Sequence, residues 1–145
     1  LYRGSYWKER ARKLASNKVP ASIIVVDVVN FSFVNTQYGI VEGDRILREI
    51  AHLLLMNIRK TDLVCRYAGD RFVILLPNTK LEDALLLVNQ IQCSIESVAF
   101  KPSSKKVSLF TKVKSVVGCL ALTETIENTL SHLNQELDEL GERVA

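Results

Sequence analysis

The segment from Arg59 to Pro77 constrains the fold more than any other, because it reads as a β-hairpin that must sit inside a sheet. Leu63 to Tyr67 is rich in β-branched and aromatic residues. Phe72 to Leu76 is a continuous apolar run, as expected of a strand buried on both faces. Between them Ala68, Gly69 and Asp70 form a short connection with the Gly and Asp that a tight turn needs. Asp70 would then project from a rigid turn, a suitable place for a metal ligand. Taken alone, the segment is better read as a plain hairpin with a Gly-Asp turn.

With 145 residues the chain is long enough for one domain with a proper core. A net charge of +3 and the lack of a Lys/Arg stripe argue against nucleic acid as a partner. The lysines between Lys101 and Lys114 alternate with Val, Ser, Leu and Phe, which suits a loop leading into a solvated edge strand. Cys65, Cys93 and Cys119 are odd in number and widely spaced. They suit neither a disulfide framework nor a zinc site and are expected to be buried thiols in a reducing compartment. No apolar run approaches the ~20 residues of a membrane span.

Along the chain, Ser5 to Ser16 carries Trp7, Ala11 and Leu14 at helical spacing, and Pro20 then breaks the helix. Ala21 to Val29 follows as a strand, apolar on both faces and hence central in the sheet. It carries Asp27 at its end. A carboxylate there must be paired or bound to a cation, or else cap the helix that starts near Asn30, and the residues alone leave both readings open. Phe31 to Tyr38 reads as a short helix closed by Gly39. Gly43-Asp44 is expected to open a longer helix to about Ile58, with Asp44 in its first turn. His52 in that helix is read as structural.

Thr79 and Glu82 have the spacing of a capping box, ahead of a helix to about Val98 with Leu81, Leu85, Val88, Ile91 and Ile95 as its inner face. Lys105 to Phe110 and Lys112 to Leu120 read as strands. From about Thr123 a helix carries Ile126, Leu130, Leu133, Leu137 and Leu140 in one apolar stripe, expected to pack on the sheet. The result is an α+β domain with a central, mostly antiparallel sheet flanked by helices.

Ala68-Gly69-Asp70-Arg71-Phe72 resembles the Gly-Gly-Asp-Glu-Phe signature of the GGDEF family, the diguanylate cyclases. Asp27-Val28-Val29-Asn30-Phe31, Asn35, Tyr38-Gly39, Gly43-Asp44 and Arg59-Lys60-Thr61-Asp62 match in order and spacing, so the resemblance spans nearly the whole chain. It implies the palm-type, ferredoxin-like fold of nucleotidyl cyclases and a role in bacterial cyclic di-GMP signalling. It also implies that Asp27, the carbonyl of Val28, and Asp70 bind Mg²⁺ when GTP is present. Asn35 and Asp44 would bond the guanine edge, Ala68 and Gly69 would approach the phosphates, and Arg59 with Asp62 would bind cyclic di-GMP. Leu1-Tyr2 resembles the tail of the family's opening motif, so residues 1–145 are expected to be a single domain of a longer signalling protein. The expected setting is a cytoplasmic domain, with any membrane anchor upstream and with fused signalling domains or a second copy as partners.

Three charged positions depart from the family pattern. Arg71 stands where the signature has Glu, Ser32 where a lysine follows the first metal motif, and Leu140-Gly141 where the last helix ends in Ala-Lys. Arg3 and Gly4 replace an Asn-Arg pair, and Gln90 stands where some members place a second arginine for the product. No catalytic residue is therefore assigned, and Arg71 marks the degenerate position. The expected function is a catalytically impaired domain that binds cyclic di-GMP. A weakly active cyclase and a non-catalytic GTP-sensing or dimerisation module are the alternatives.

Overall fold

The computed structural model describes residues 1–101, 108–120 and 123–144. Helix α1 (Gly4–Ser16) leads into strand β1 (Ala21–Val28), followed by helices α2 (Phe31–Tyr38) and α3 (Ile40–Met56). The hairpin is β2 (Leu63–Ala68) and β3 (Arg71–Pro77). Helix α4 (Leu81–Glu96), strand β4 (Val113–Cys119) and helix α5 (Ile126–Val144) complete the chain. The strands form one sheet in the order β2-β3-β1-β4, and the three neighbouring pairs are all antiparallel. This is the α+β arrangement expected from the sequence, and β1 is central because every one of its side chains is buried.

Alternation along β1 divides the core in two. Ile24, Val26 and Val28 face α2, α3 and α4 and pack with Ile46, Ile50, Leu54, Phe72, Ile74 and Ile91. Ile23 and Val25 face α1 and α5 and pack with Trp7, Val73, Leu75, Leu130, Leu133 and Leu137. The stripe on α5 is thus spent on the sheet, and Gly118 on β4 leaves room for Leu133, since a Cβ there would meet Leu133 at 2.7 Å. Trp7 is fully buried and its indole Nε1–H donates to the Leu63 carbonyl at 3.1 Å, tying α1 to the hairpin.

Several local expectations are corrected. The hairpin connection has two residues, not three: Ala68 pairs with Arg71, and a bulge between Arg66 and Ala68 absorbs Tyr67. Gly69 sits at φ 50°, which only glycine adopts freely. Helix α3 begins at Ile40, before Gly43-Asp44, because Gly39 at φ 89° both ends α2 and starts α3. Asp44 therefore lies beyond the first turn. Asn30 at φ 57° is the N-cap of α2, so Asp27 does not cap it.

No capping box forms at α4; Lys80 is the N-cap, and the Thr79 hydroxyl is occupied by Pro77 and Arg59. The inner face of α4 is Ala84, Ile91 and Ile95 with Leu87 and Val88, while Leu81 and Leu85 are exposed. Cys65 is buried, but Cys93 and Cys119 are exposed. Of the strand expected at Lys105 to Phe110, residues 105–107 lie outside the described residues, and Leu109 makes a single bridge to Phe100. The last helix starts at Ile126, not Thr123.

Candidate functional site

The hairpin turn and the end of β1 meet at one end of the sheet, because β1 and β3 are antiparallel neighbours. Asp27 lies directly opposite Arg71 on β3 and directly opposite Lys114 on β4. All three point to the α5 side. The Asp27 carboxylate is nearly buried, with Arg71 Nε 3.4 Å from Oδ1 and Lys114 Nζ 3.8 Å from Oδ2. Arg71 also donates from Nη1 to Asn134 Oδ1 at 2.8 Å and from Nη2 to Asp138 Oδ1 at 2.5 Å, both on α5. Burial pushes the Asp27 carboxyl above its ordinary range, and the nearby Asp70 charge adds to this; Arg71 and Lys114 act in the opposite sense. Burial also opposes the Arg71 charge, but Asp138 and Asp27 outweigh it and the guanidinium stays fully charged.

Asp70 stands beside this cluster at the turn, and its carbonyl accepts the Val28 N–H at 3.1 Å. The Val28 side chain itself is buried towards α2 and α3. Among the described residues no group of three or more His, Cys, Asp or Glu is placed to hold a metal ion. Mg²⁺ demands near-octahedral oxygen donors at about 2.0–2.1 Å. It is commonly held by one or two carboxylates with waters making up the rest, so the misfit here is not the number of donors but the guanidinium and ammonium that the Asp27 carboxylate already faces.

On the other face of the turn, Asn35 on α2 touches Gly43 on α3, where an added Cβ would lie 1.9 Å from its Oδ1. Asp44 follows and is half-exposed, with Arg66 Nη2 at 3.5 Å from its Oδ1. Arg66 Nε in turn donates to the Gly69 carbonyl at 2.6 Å. Asn35, Asp44 and the Gly69 turn are thereby gathered in one region, with Arg66 as the link. Ser32 is exposed on α2, and Gly141 is in α5 beyond the described side chains.

Arg59 and Asp62 lie at the opposite end of the hairpin, about 20 Å away at roughly 3.3 Å per residue along β2. The Asp62 side chain is 2% exposed and that of Arg59 57%. Asp62 Oδ2 accepts the Arg59 backbone N–H at 2.9 Å, and Oδ1 accepts Arg59 Nη2 at 3.2 Å. Arg59 Nη2 also donates to the Pro77 carbonyl at 3.0 Å and the Thr79 hydroxyl at 2.5 Å. The pair borders a cavity of about 320 Å³ whose wall includes Asn57, Asn78, Asp83 and Leu87. Gln90 on α4 is exposed.

Sequence reasoning did not find Arg66, Lys114, Asn134 and Asp138. The cross-strand register was the missing signal for Lys114. For Asn134 and Asp138 the signal was available, since they stand four residues apart beside the α5 stripe.

Comparison with known proteins bears on this geometry. Residues 5–144 match the family model described as diguanylate cyclase, GGDEF domain. Diguanylate cyclase DgcM of Escherichia coli is 33% identical over 123 residues, 85% of this chain and 26% of that protein. Response regulator PleD of Caulobacter vibrioides is 38% identical over 81 residues, 56% of this chain and 18% of that protein. The chain thus spans about a quarter of one and under a fifth of the other. Among solved structures, diguanylate cyclase SiaD of Pseudomonas aeruginosa, in complex with its activator SiaC, superposes with a TM-score of 0.88 at 26% identity. That match covers 96% of this chain and 54% of the other. With the match running through helix α1, the whole sheet and helix α5, this chain belongs to the GGDEF, or diguanylate cyclase, domain family.

Proposed function

We propose that this domain acts in cyclic di-GMP signalling as a catalytically impaired GGDEF domain that binds cyclic di-GMP at Arg59 and is one regulatory unit of a longer protein. The observation that carries the reading is the fixed geometry of Arg59. Its guanidinium is anchored through Nε and Nη2 on a buried carboxylate, a carbonyl and a hydroxyl, while no described residue accepts from Nη1 and the side chain lines the cavity. A guanine offers O6 and N7 as acceptors to the N–H groups of Nη1. Asp62 is a positioning residue here: it holds the arginine and has little surface of its own to offer a ligand.

Impairment follows from the three departures in charge. Arg71 cannot serve as a metal ligand or base at neutral pH. Ser32 and the Leu140-Gly141 stretch lack the cations that would meet a triphosphate, each worth about 1.5–3 kcal/mol as a charge-assisted contact. Cyclic di-GMP carries two phosphate charges and depends on those cations less. Guanine selection at a residual nucleotide site falls to Asn35 and Asp44, which lie together beside the turn.

Calorimetry with cyclic di-GMP and GTP in parallel tests the reading. Cyclic di-GMP binds the wild type, and Arg59→Ala weakens it by about 10- to 100-fold, equivalent to ~1–3 kcal/mol. Asp62→Asn also weakens it, by releasing the guanidinium, whereas Asp27→Asn leaves it unchanged. No heat with cyclic di-GMP at tens of micromolar would overturn the assignment and favour a GTP-sensing or dimerisation module. Product from GTP with Mg²⁺ or Mn²⁺, seen by chromatography at about 1 s⁻¹ or faster, would overturn the impairment.

A further inference from the structure

Asp27 has a cation directly across from it on each neighbouring strand, Arg71 on β3 and Lys114 on β4, all on one face of the sheet. The three side chains are largely buried, at 12%, 18% and 25% exposure. A nearly buried carboxylate needs a counter-charge, since leaving it alone costs several kcal/mol. Here the chain supplies two. Arg71 does a second thing with the same guanidinium: it spans Asn134 and Asp138, one turn apart on α5. The apolar stripe of α5 fixes which face packs on the sheet, but apolar contacts are non-directional. The directed bonds to Asn134 and Asp138 fix where along its axis the helix sits.

From this geometry we propose that Arg71 and Lys114 are built-in counter-cations of Asp27 that stand in place of a divalent metal, and that Arg71 thereby clasps α5 to the end of β1. A metal at the Asp27 oxygens would lie within a few ångströms of a guanidinium and an ammonium, and would be repelled by both. Of the other carboxylates nearby, Asp70 stands at the turn and Asp138 is already engaged by Arg71. The end of β1 is thus a metal-free structural clasp. The clasp involves neither Arg59 nor any nucleotide, so it stands or falls separately from cyclic di-GMP binding.

Two measurements on the nucleotide-free protein test it: binding of Mn²⁺ alone, followed by the electron paramagnetic resonance of the free ion, and thermal melting with and without Mg²⁺. The wild type binds no Mn²⁺ up to about 1 mM and its melting temperature does not respond to Mg²⁺. Arg71→Gln removes the charge and the tether. It melts lower by about 5 °C, binds Mn²⁺ at least about tenfold more tightly than the wild type, and regains part of its melting temperature in Mg²⁺. Should Arg71→Gln not fold, Lys114→Met leaves the α5 tether intact and shows the same gain in Mn²⁺ binding. Wild-type Mn²⁺ affinity equal to that of the variants, or variants that neither melt lower nor gain metal, would overturn the proposal.

Discussion

Cys65 lies on β2 among Trp7, Val73 and Leu75 and is 1% exposed, whereas Cys93 and Cys119 are exposed on α4 and at the end of β4. Burial pushes the Cys65 thiol up to about 11 from an ordinary 9.0, with Lys8 opposing weakly. The unfolded chain therefore gives up this proton first. The contribution of the buried thiol to stability is whole below about pH 9 and declines as pH rises towards 11. Because the thiolate is the reactive form, a thiol reagent at pH 8 should modify Cys93 and Cys119 quickly and Cys65 only as the protein unfolds. Three fast equivalents without denaturant would show that β2 opens locally. The same dependence on burial separates Asp62 from Arg59: they are three residues apart, but one is sealed in and the other offers its guanidinium to solvent.

Helices α2 and α3 are joined by Gly39 alone, so they meet at close range and their contact depends on what Gly43 lacks. An added Cβ at Gly43 would lie 1.9 Å from Asn35 Oδ1 and 3.3 Å from the Phe31 ring. Alanine in a helix interior is intrinsically better than glycine by ~1 kcal/mol. Forcing an extra methyl into a packed contact costs about 1–3 kcal/mol, so the steric term wins. Gly43→Ala should lose about 1 kcal/mol net in denaturant unfolding and push the Asn35 side chain off its place beside Gly43. A more stable variant would mean that Asn35 swings aside freely and is not held by this contact.

At the level of the whole molecule, the two halves of the core share one set of strands, since β1 and β3 contribute alternate side chains to each. Neither half can melt without exposing the backs of the same residues. Unfolding should therefore be a single transition, as expected for one domain of this length. Leu137→Ala on the α5 side and Ile50→Ala on the α3 side should each lower it by about 2–5 kcal/mol without splitting it. Two transitions in either variant would contradict a shared core. Among the described residues no helix is long and apolar enough to cross a membrane.

Periodicity and turn chemistry placed nearly every element, because a strand buried on both faces and an amphipathic helix leave a mark on consecutive residues. The hairpin of residues 63–77, the apolar Ala21 to Val28 strand and the α5 stripe were legible for that reason, and with them the order of elements and the family. Element ends were less legible: the Thr79–Glu82 spacing suggested a cap, but Arg59, twenty residues away, takes the Thr79 hydroxyl. The site divided in the same way. Asp27, Asp70, Arg59 and Asp62 were singled out only through the family resemblance, since their local motifs left other readings open. That Asp27 faces Arg71 and Lys114 rather than solvent depends on strand register, 44 and 87 residues away in sequence. That Arg71 is held by α5 depends on how a helix more than sixty residues later lies on the sheet. Sequence specifies which charges exist; only the packed sheet decides which of them meet, because electrostatic pairing acts over a few ångströms of space and not along the chain.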